Sequence, residues 1–340
     1  MDARALICEQ GPRVELREVE LAEPGPGHVV IRAIASGVSP GTELALMRAR
    51  ISWGPFPLCT GYQAVGQVTA VGQAVTGFAV GDRVYYRDNH TGLRLADGRE
   101  ISAVTGAHAS HAVVDVQRTH GLAQLPAEAE QAVGLAAASL YVLPAVGLNG
   151  VDMANPRLGQ SVVVYGAGLV GLAVVAACAH RGCRVIAVDL DTHRLRVARQ
   201  LGAEHAIDAK QADVHAAVRE LAPAMADVVF ECTGLPELLD PAIALCRSHG
   251  TFVWQGNYGA DPVRLGFLPA HGRRLTMFFP CDDGGPACRA AVLANMARGA
   301  LPWHRTVTHE VNPPAAAELL NRMLRGAAAD VLGAVVRWDH

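Results

Sequence analysis

Val164-Tyr165-Gly166-Ala167-Gly168-Leu169-Val170-Gly171 decides how the second half of this chain is read. Before it, Ser161 to Tyr165 has the β-branched character of a buried strand. After it, Leu169 to His180 is an apolar helix. A G-x-G-x-x-G that closes a strand and opens a helix is the setting in which the motif carries physical meaning. Gly166 permits the tight turn, Gly168 presents no side chain, and Gly171 lets the helix pack close to the strand. The helix start offers free N–H groups and a partial positive charge to phosphate. Gly166, Ala167, Gly168, Leu169, Val170 and Gly171 are therefore expected to hold the pyrophosphate of a dinucleotide.

Working outward, a second strand runs from Arg184 to Asp189 and an amphipathic helix from Thr192 to Leu201. A carboxylate at Asp189 accepts hydrogen bonds from the adenosine ribose hydroxyls and repels a 2′-phosphate. NAD is favoured over NADP, although Arg194 and Arg196 lie nearby. Further strands are expected over Asp227 to Glu231, Gly250 to Gln255 and Leu275 to Phe279, with helices between them. Alternating strands and helices imply a doubly wound parallel sheet of the Rossmann kind. In such sheets the carboxyl ends of the strands face the ligand. Cys232, Thr233 and Gln255 follow strands and are expected on the nicotinamide side, with loop packing as the competing reading.

Residues 1 to about 135 follow another rhythm. Short β-type runs, such as Val29 to Ile34, Ala64 to Val71, Asp82 to Tyr86 and His111 to Val114, are broken by Gly and Pro. This predicts a compact β-barrel-like domain. The last stretch reads as two helices, Ala287 to Ala297 and Pro314 to Leu324, and a strand, Gly333 to Trp338.

The bulk numbers fit a two-domain globular protein. The chain has 340 residues, 51% hydrophobic and 18% charged, with a net charge of −3. No basic stripe points to nucleic acid, and no apolar run is long enough to span a bilayer. No signal peptide is read at the start. The 8 cysteines are scattered without a C-x-x-C pair. They read as reduced thiols of a cytoplasmic protein, not as a disulfide or metal framework.

Six ordered motifs now resemble the medium-chain dehydrogenase/reductase superfamily, over essentially the whole chain. They are Pro24 to Arg32, Ser36 to Leu44, Gly61 to Val68, Val80 to Val84, Gly166 to Gly171 and Val228 to Gly234. The resemblance implies a GroES-like β-rich substrate domain, 1–145 plus 284–340, and a Rossmann NAD-binding domain, 146–283. It places Ser139, beside Tyr141, next to the nicotinamide. It also implies a homodimer or homotetramer acting on a small molecule, with pairing through the Leu275 to Phe279 edge.

Zinc-containing members take their catalytic metal from three residues. Those positions fall here at Ser39, Tyr62 and Ala137 or Ala138. A catalytic zinc needs about three Cys, His or carboxylate ligands from the protein, so no metal is expected. The structural-zinc lobe matches Asp88 to Ala109, which has no Cys; His90, His108 and His111 lie around it. The Ser39-to-Glu43 turn and the Gly61-Tyr62 pair are most similar to the zinc-lacking bacteriochlorophyllide a dehydrogenase-like subgroup.

Without zinc, hydrogen-bond donors must face the developing oxyanion, and a proton donor must reach it. Ser39, Thr42, Tyr62 and Gln63 inherit the metal's neighbourhood. Tyr62 is the best acid, Thr42 matches the family's relay hydroxyl, and Gln63 can orient or donate. Glu43 is a weaker base, read also as a solvated or cap carboxylate. Trp53 and Phe56 are possible pocket walls. The expected function is zinc-independent, NAD(H)-dependent oxidation of a secondary alcohol, or reduction of its ketone, in a biosynthetic or specialised metabolite. The competing readings are a C=C reductase of the same superfamily and a non-catalytic NAD-binding protein.

Overall fold

The strand Ser161–Tyr165 sits at the middle of a parallel sheet, in a computed structural model that describes residues 1–89, 92–119 and 121–339. By contacts the chain divides into Met1–Val142 with Leu293–His340, and Leu143–Val292. Within the second unit, among the described residues, six strands run in the order His205–Asp208, Arg184–Asp189, Ser161–Tyr165, Ala226–Glu231, Cys246–Trp254, Thr276–Phe278. Every adjacent pair is parallel. In chain order this is 3-2-1-4-5-6, the doubly wound arrangement, whose order reverses between the first and fourth strands. The carboxyl ends of those two strands carry Gly166 and Cys232.

The central strands are Val-rich because both faces are covered. Val162, Val163 and Val164 are each 0% exposed. Helix Leu169–His180 is apolar nearly all round and mostly buried, as a helix packed between layers must be. Helix Thr192–Gln200 is instead amphipathic, and Asp191 caps it by accepting from the N–H groups of His193 and Arg194. Strand Cys246–Trp254 begins earlier than the sequence suggests, and both predicted helices of the last stretch form, as Gly285–Ala297 and Pro313–Leu324.

The first unit is β-rich. Asp2–Glu9, Arg13–Leu21, Leu93–Leu95, Glu100–Ala103 and Leu58–Cys59 close a small barrel. A second sheet is built around His28–Gly37, which pairs antiparallel with Ala64–Val71, His111–Asp115 and Gly333–Arg337. The C-terminal strand thus completes a sheet started near the N-terminus.

Two helical regions escape the sequence reading. Ser36 to Leu44 reads as a turn, yet Pro40–Met47 is a helix with Ser39 at its N-cap and Pro40 in its first turn. Proline suits that place because its missing N–H would lack a helical partner anyway. Ala127–Ala138 and Val142–Ala154 are also helices, the first interrupted at Gly134, where φ is 79°. Gly134 in the first, and Pro144, Gly147 and Gly150 in the second, read as helix breakers. Among the described residues no single helix is long and apolar enough to cross a membrane.

Candidate active site

The glycine loop is shaped by close approaches. Gly166 has φ +100°, and a Cβ there would lie 2.8 Å from Thr233 Cγ2. A Cβ on Gly171 would lie 1.9 Å from the Gly166 carbonyl oxygen. Around Gly168 a Cβ would meet nothing within 4 Å. Two glycines are therefore required by packing, and the third leaves space in front of the helix N-terminus. Gly168 is the N-cap and no side chain caps it, so the first N–H groups of the helix remain available to an anion. Ala167, Leu169 and Val170 complete the turn.

Asp189 closes the loop from the neighbouring strand. Its Oδ2 accepts from the Ala167 N–H at 2.6 Å and its Oδ1 from the Asp191 N–H at 2.9 Å. Each carboxylate oxygen has a second lone pair for a hydroxyl donor. Arg194 is drawn towards Asp191 at 3.8 Å, and Arg196 is exposed. The loop and Asp189 fit a dinucleotide by shape and by donor and acceptor count.

The other residues predicted for the cofactor take supporting positions. The Thr233 side chain packs under Gly166, and its hydroxyl and N–H both donate to Glu231, the N–H at 2.8 Å. Glu231 is fully buried and also accepts from the Gly234 N–H at 3.1 Å and the Tyr258 hydroxyl. Burial first, then that carboxylate, pushes the Tyr258 phenol far up. Cys232 is partly exposed beside Gly171, its thiol held well above its usual range by burial. Gln255 donates to the Val146 carbonyl at 3.1 Å, and its Oε1 is buried without a partner among the described residues. Ser139 donates to the Ala136 carbonyl at 2.7 Å at the end of its helix, which is a structural bond. Neither Glu231 nor Tyr258 was singled out by sequence, because their pairing crosses two loops.

The four predicted catalytic residues lie in the first unit. The Tyr62 hydroxyl donates to Ser39 Oγ, with the Thr42 hydroxyl beside it. Tyr62 and Ser39 are 6% and 2% exposed, and Thr42 is half-buried. Burial pushes the Tyr62 phenol up to about 12, against the opposing effects of the Ser39 and Thr42 bonds; Glu43 raises it further and Arg87 lowers it. Gln63 is fully buried. Its Oε1 accepts from the Val142 N–H at 3.1 Å, while its Nε2 has no partner among the described residues. A buried donor left unpaired costs roughly 1–3 kcal/mol, so this amide awaits an acceptor. Trp53 is half-exposed with its ring 6.3 Å from that of Tyr62, whereas Phe56 packs onto the core.

A buried polar network supports this cluster from below. Glu43, read from sequence as a solvated or cap carboxylate, is a cap but is 0% exposed. Its Oε1 accepts from the Ser39 N–H at 2.7 Å, satisfying the first free donor of the helix. Its Oε2 accepts from Thr60 Oγ1 and contacts His108 Nε2, both at 2.8 Å. The other His108 ring nitrogen meets Ser36 Oγ at 2.8 Å, and Ser36 accepts from Trp338 Nε1 at 2.9 Å. Gly61 makes room for this: with φ +91°, its Cβ would strike the His108 backbone N at 2.7 Å.

The three metal positions hold no ligand set. Ser39 and Tyr62 bond to each other, and Ala137 and Ala138 are buried in their helix. Both His108 nitrogens are engaged, and His111 Nδ1 meets Ser110 Oγ at 3.1 Å. His90 lies outside the described residues. Among the described residues no three His, Cys, Asp or Glu side chains group as a metal site.

Known proteins share both halves of this architecture. Residues 25–126 match the family described as alcohol dehydrogenase GroES-like domain, and 170–297 the family described as zinc-binding dehydrogenase. A 5-exo-hydroxycamphor dehydrogenase of Pseudomonas putida is 31% identical over 308 residues, covering 81% of either chain. D-altritol 5-dehydrogenase of Agrobacterium fabrum is 29% identical over 77% of this chain and 78% of its own. Among solved structures, a Sinorhizobium meliloti 1021 protein described as a zinc-binding dehydrogenase and bound to NADP superposes with TM-score 0.84. It is 22% identical, with 99% of each chain covered.

Proposed function

Because the chain belongs to the medium-chain dehydrogenase/reductase superfamily, we propose that it is a nicotinamide-dependent alcohol dehydrogenase or ketone reductase that works without a catalytic zinc. The observation that carries the proposal is the substitution of a hydroxyl cluster for a metal site. Where the resemblance puts zinc ligands, Tyr62 donates to Ser39 beside Thr42. A bound nicotinamide supplies or accepts the hydride. The protein's own residues then handle the oxygen of the substrate. Tyr62, held neutral by its raised pKa, gives a proton to the oxygen of a ketone. For that step the phenol O–H turns from Ser39 to the substrate oxygen, and the Ser39 hydroxyl donates to the phenol oxygen in its place. The unpartnered Gln63 Nε2 is a donor for the same oxygen. The polar cluster is what favours catalysis over a merely cofactor-binding role.

The substrate is proposed as a secondary alcohol or its ketone, in a biosynthetic or specialised metabolite. Two relatives are named for dehydrogenating a hydroxycamphor and, at carbon 5, altritol. The decisive experiment is metal analysis of the purified protein alongside turnover in a chelator. The expected result is turnover with far less than one zinc per chain. Stoichiometric zinc whose removal abolishes activity would sink the proposal.

NAD is proposed as the cofactor, on the strength of Asp189 facing the loop, even though the S. meliloti protein carries NADP. The expected result of titration is tighter NADH than NADPH binding. Asp189→Ala should relieve the repulsion of a 2′-phosphate. Partly screened like charges differ by about 1–2 kcal/mol, or roughly tenfold in NADPH affinity. Tighter NADPH binding by the parent chain would reverse this assignment.

A further inference from the structure

The ring of Tyr62 has a cationic neighbour that the sequence motifs do not mark. The Arg87 guanidinium carbon lies 5.5 Å from the ring centroid. Arg87 directly follows strand Arg83–Tyr86 and is half-buried. Among the described residues, the other groups around the phenol are the Ser39 and Thr42 hydroxyls, the Glu43 carboxylate and the Trp53 ring, and Arg87 has a further partner of its own. Glu43 and Arg87 act on it in opposite directions. Tyr62 is 6% exposed, so water does little to stabilise charge on it. Any proton it gives away must therefore be balanced from within the protein. A positive charge over an aromatic face attracts the neutral ring and attracts it more once the ring is an anion.

We propose that Arg87 is an electrostatic positioning residue, whose guanidinium balances the negative charge on Tyr62 when that phenol protonates the substrate. It takes over part of the work that a metal cation performs in zinc-dependent dehydrogenases. The inference rests on the reading of Tyr62 as the proton donor. In ketone reduction the reductant is a dihydronicotinamide, the cofactor class the glycine loop fits. As hydride adds to the carbonyl carbon, the C=O π pair moves onto oxygen and takes the proton: the Tyr62 O–H bond breaks and an O–H bond forms on the substrate. The freed electron pair stays on the phenolate, facing Arg87, until a solvent proton restores the phenol. Arg87 touches no reacting atom in this scheme and acts only through Tyr62.

The test uses the full chain labelled with 3-fluorotyrosine, whose phenol ionises at lower pH than tyrosine. Fluorine NMR follows the titration without cofactor, and Tyr62→Phe identifies the Tyr62 signal. Arg87→Gln removes the charge and Arg87→Lys keeps it. The expected result is a higher Tyr62 ionisation midpoint in Arg87→Gln and a midpoint near the parent's in Arg87→Lys. Reductive kcat should fall roughly tenfold in Arg87→Gln, the scale of a desolvated cation–π contact, with KM little changed. A purely structural effect would lower the melting temperature of both variants without separating their titrations, and that result would overturn the proposal. So would an Arg87→Gln chain that titrates and turns over like the parent, although Tyr62 would then keep its role. Full turnover by Tyr62→Phe would remove Tyr62 itself from the mechanism.

Discussion

Tyr62→Phe is expected to lower turnover by roughly two to four orders of magnitude, the usual contribution of a positioned acid or base. KM should change little, while the melting temperature should fall modestly, because the buried Ser39 hydroxyl loses its partner at a cost of roughly 1–3 kcal/mol. The pH dependence gives a second signature. Burial raises the Tyr62 phenol to about 12, so the proton is in place throughout the neutral range. Ketone reduction should therefore be flat with pH until the phenol begins to ionise. Alcohol oxidation needs the phenolate, whose fraction rises about tenfold per pH unit below the pKa. Its rate should climb steadily through pH 7 to 10 without a plateau. Unchanged turnover in the phenylalanine variant would mean that Tyr62 only fills the volume that the family resemblance assigns to a metal.

Disrupting the pair beneath the cluster is expected to have the largest effect on stability. Glu43 and His108 are both fully buried and 2.8 Å apart. His108→Leu leaves the Glu43 carboxylate without that partner and removes the acceptor or donor that Ser36 meets. Leaving a buried polar group without its hydrogen-bond partner costs roughly 1–3 kcal/mol, more for a charged group. Denaturant unfolding should show the loss as a shift in midpoint. Combining His108→Leu with Glu43→Gln should cost less than the sum of the single changes, because the interaction can be lost only once. A loss below about 1 kcal/mol for His108→Leu, or strict additivity, would mean the two side chains do not act as a pair. Turnover should fall as well, since Glu43 also holds the Ser39 N–H at 2.7 Å and so aims the hydroxyl that receives the Tyr62 bond.

The cofactor loop was legible because its logic is local. Gly166 and Gly171 are required by contacts within one strand-turn-helix and the strand beside it, Gly168 leaves the space in front of the helix open, and their spacing records this. Asp189 was legible for the same reason: it ends the next parallel strand, in a register that places it by Ala167. The helix Pro40–Met47 was missed although Ser39, Pro40 and Glu43 are all N-terminal signals. The glycine after the proline and the short length made a turn equally plausible. Glu43 reads as a solvated or cap carboxylate because charged side chains are usually exposed; it is a cap but buried, and nothing near it in sequence announces His108.

By itself, then, the sequence determined the parallel sheet, the glycine loop, the acidic residue beside it and the absence of zinc ligands at the three expected positions. The first three follow from residue type and spacing within one supersecondary unit, and the last from the family resemblance. Only the tertiary structure decided what surrounds Tyr62. Ser39 comes to its hydroxyl, Arg87 to its ring, and His108 to the carboxylate beneath, from strands and loops that pair far along the chain. Those approaches depend on how the β-rich unit closes, including a C-terminal strand that delivers Trp338 to Ser36. Charge balance in a buried site is a property of that closure, because it depends on distances and burial that no run of residues encodes alone.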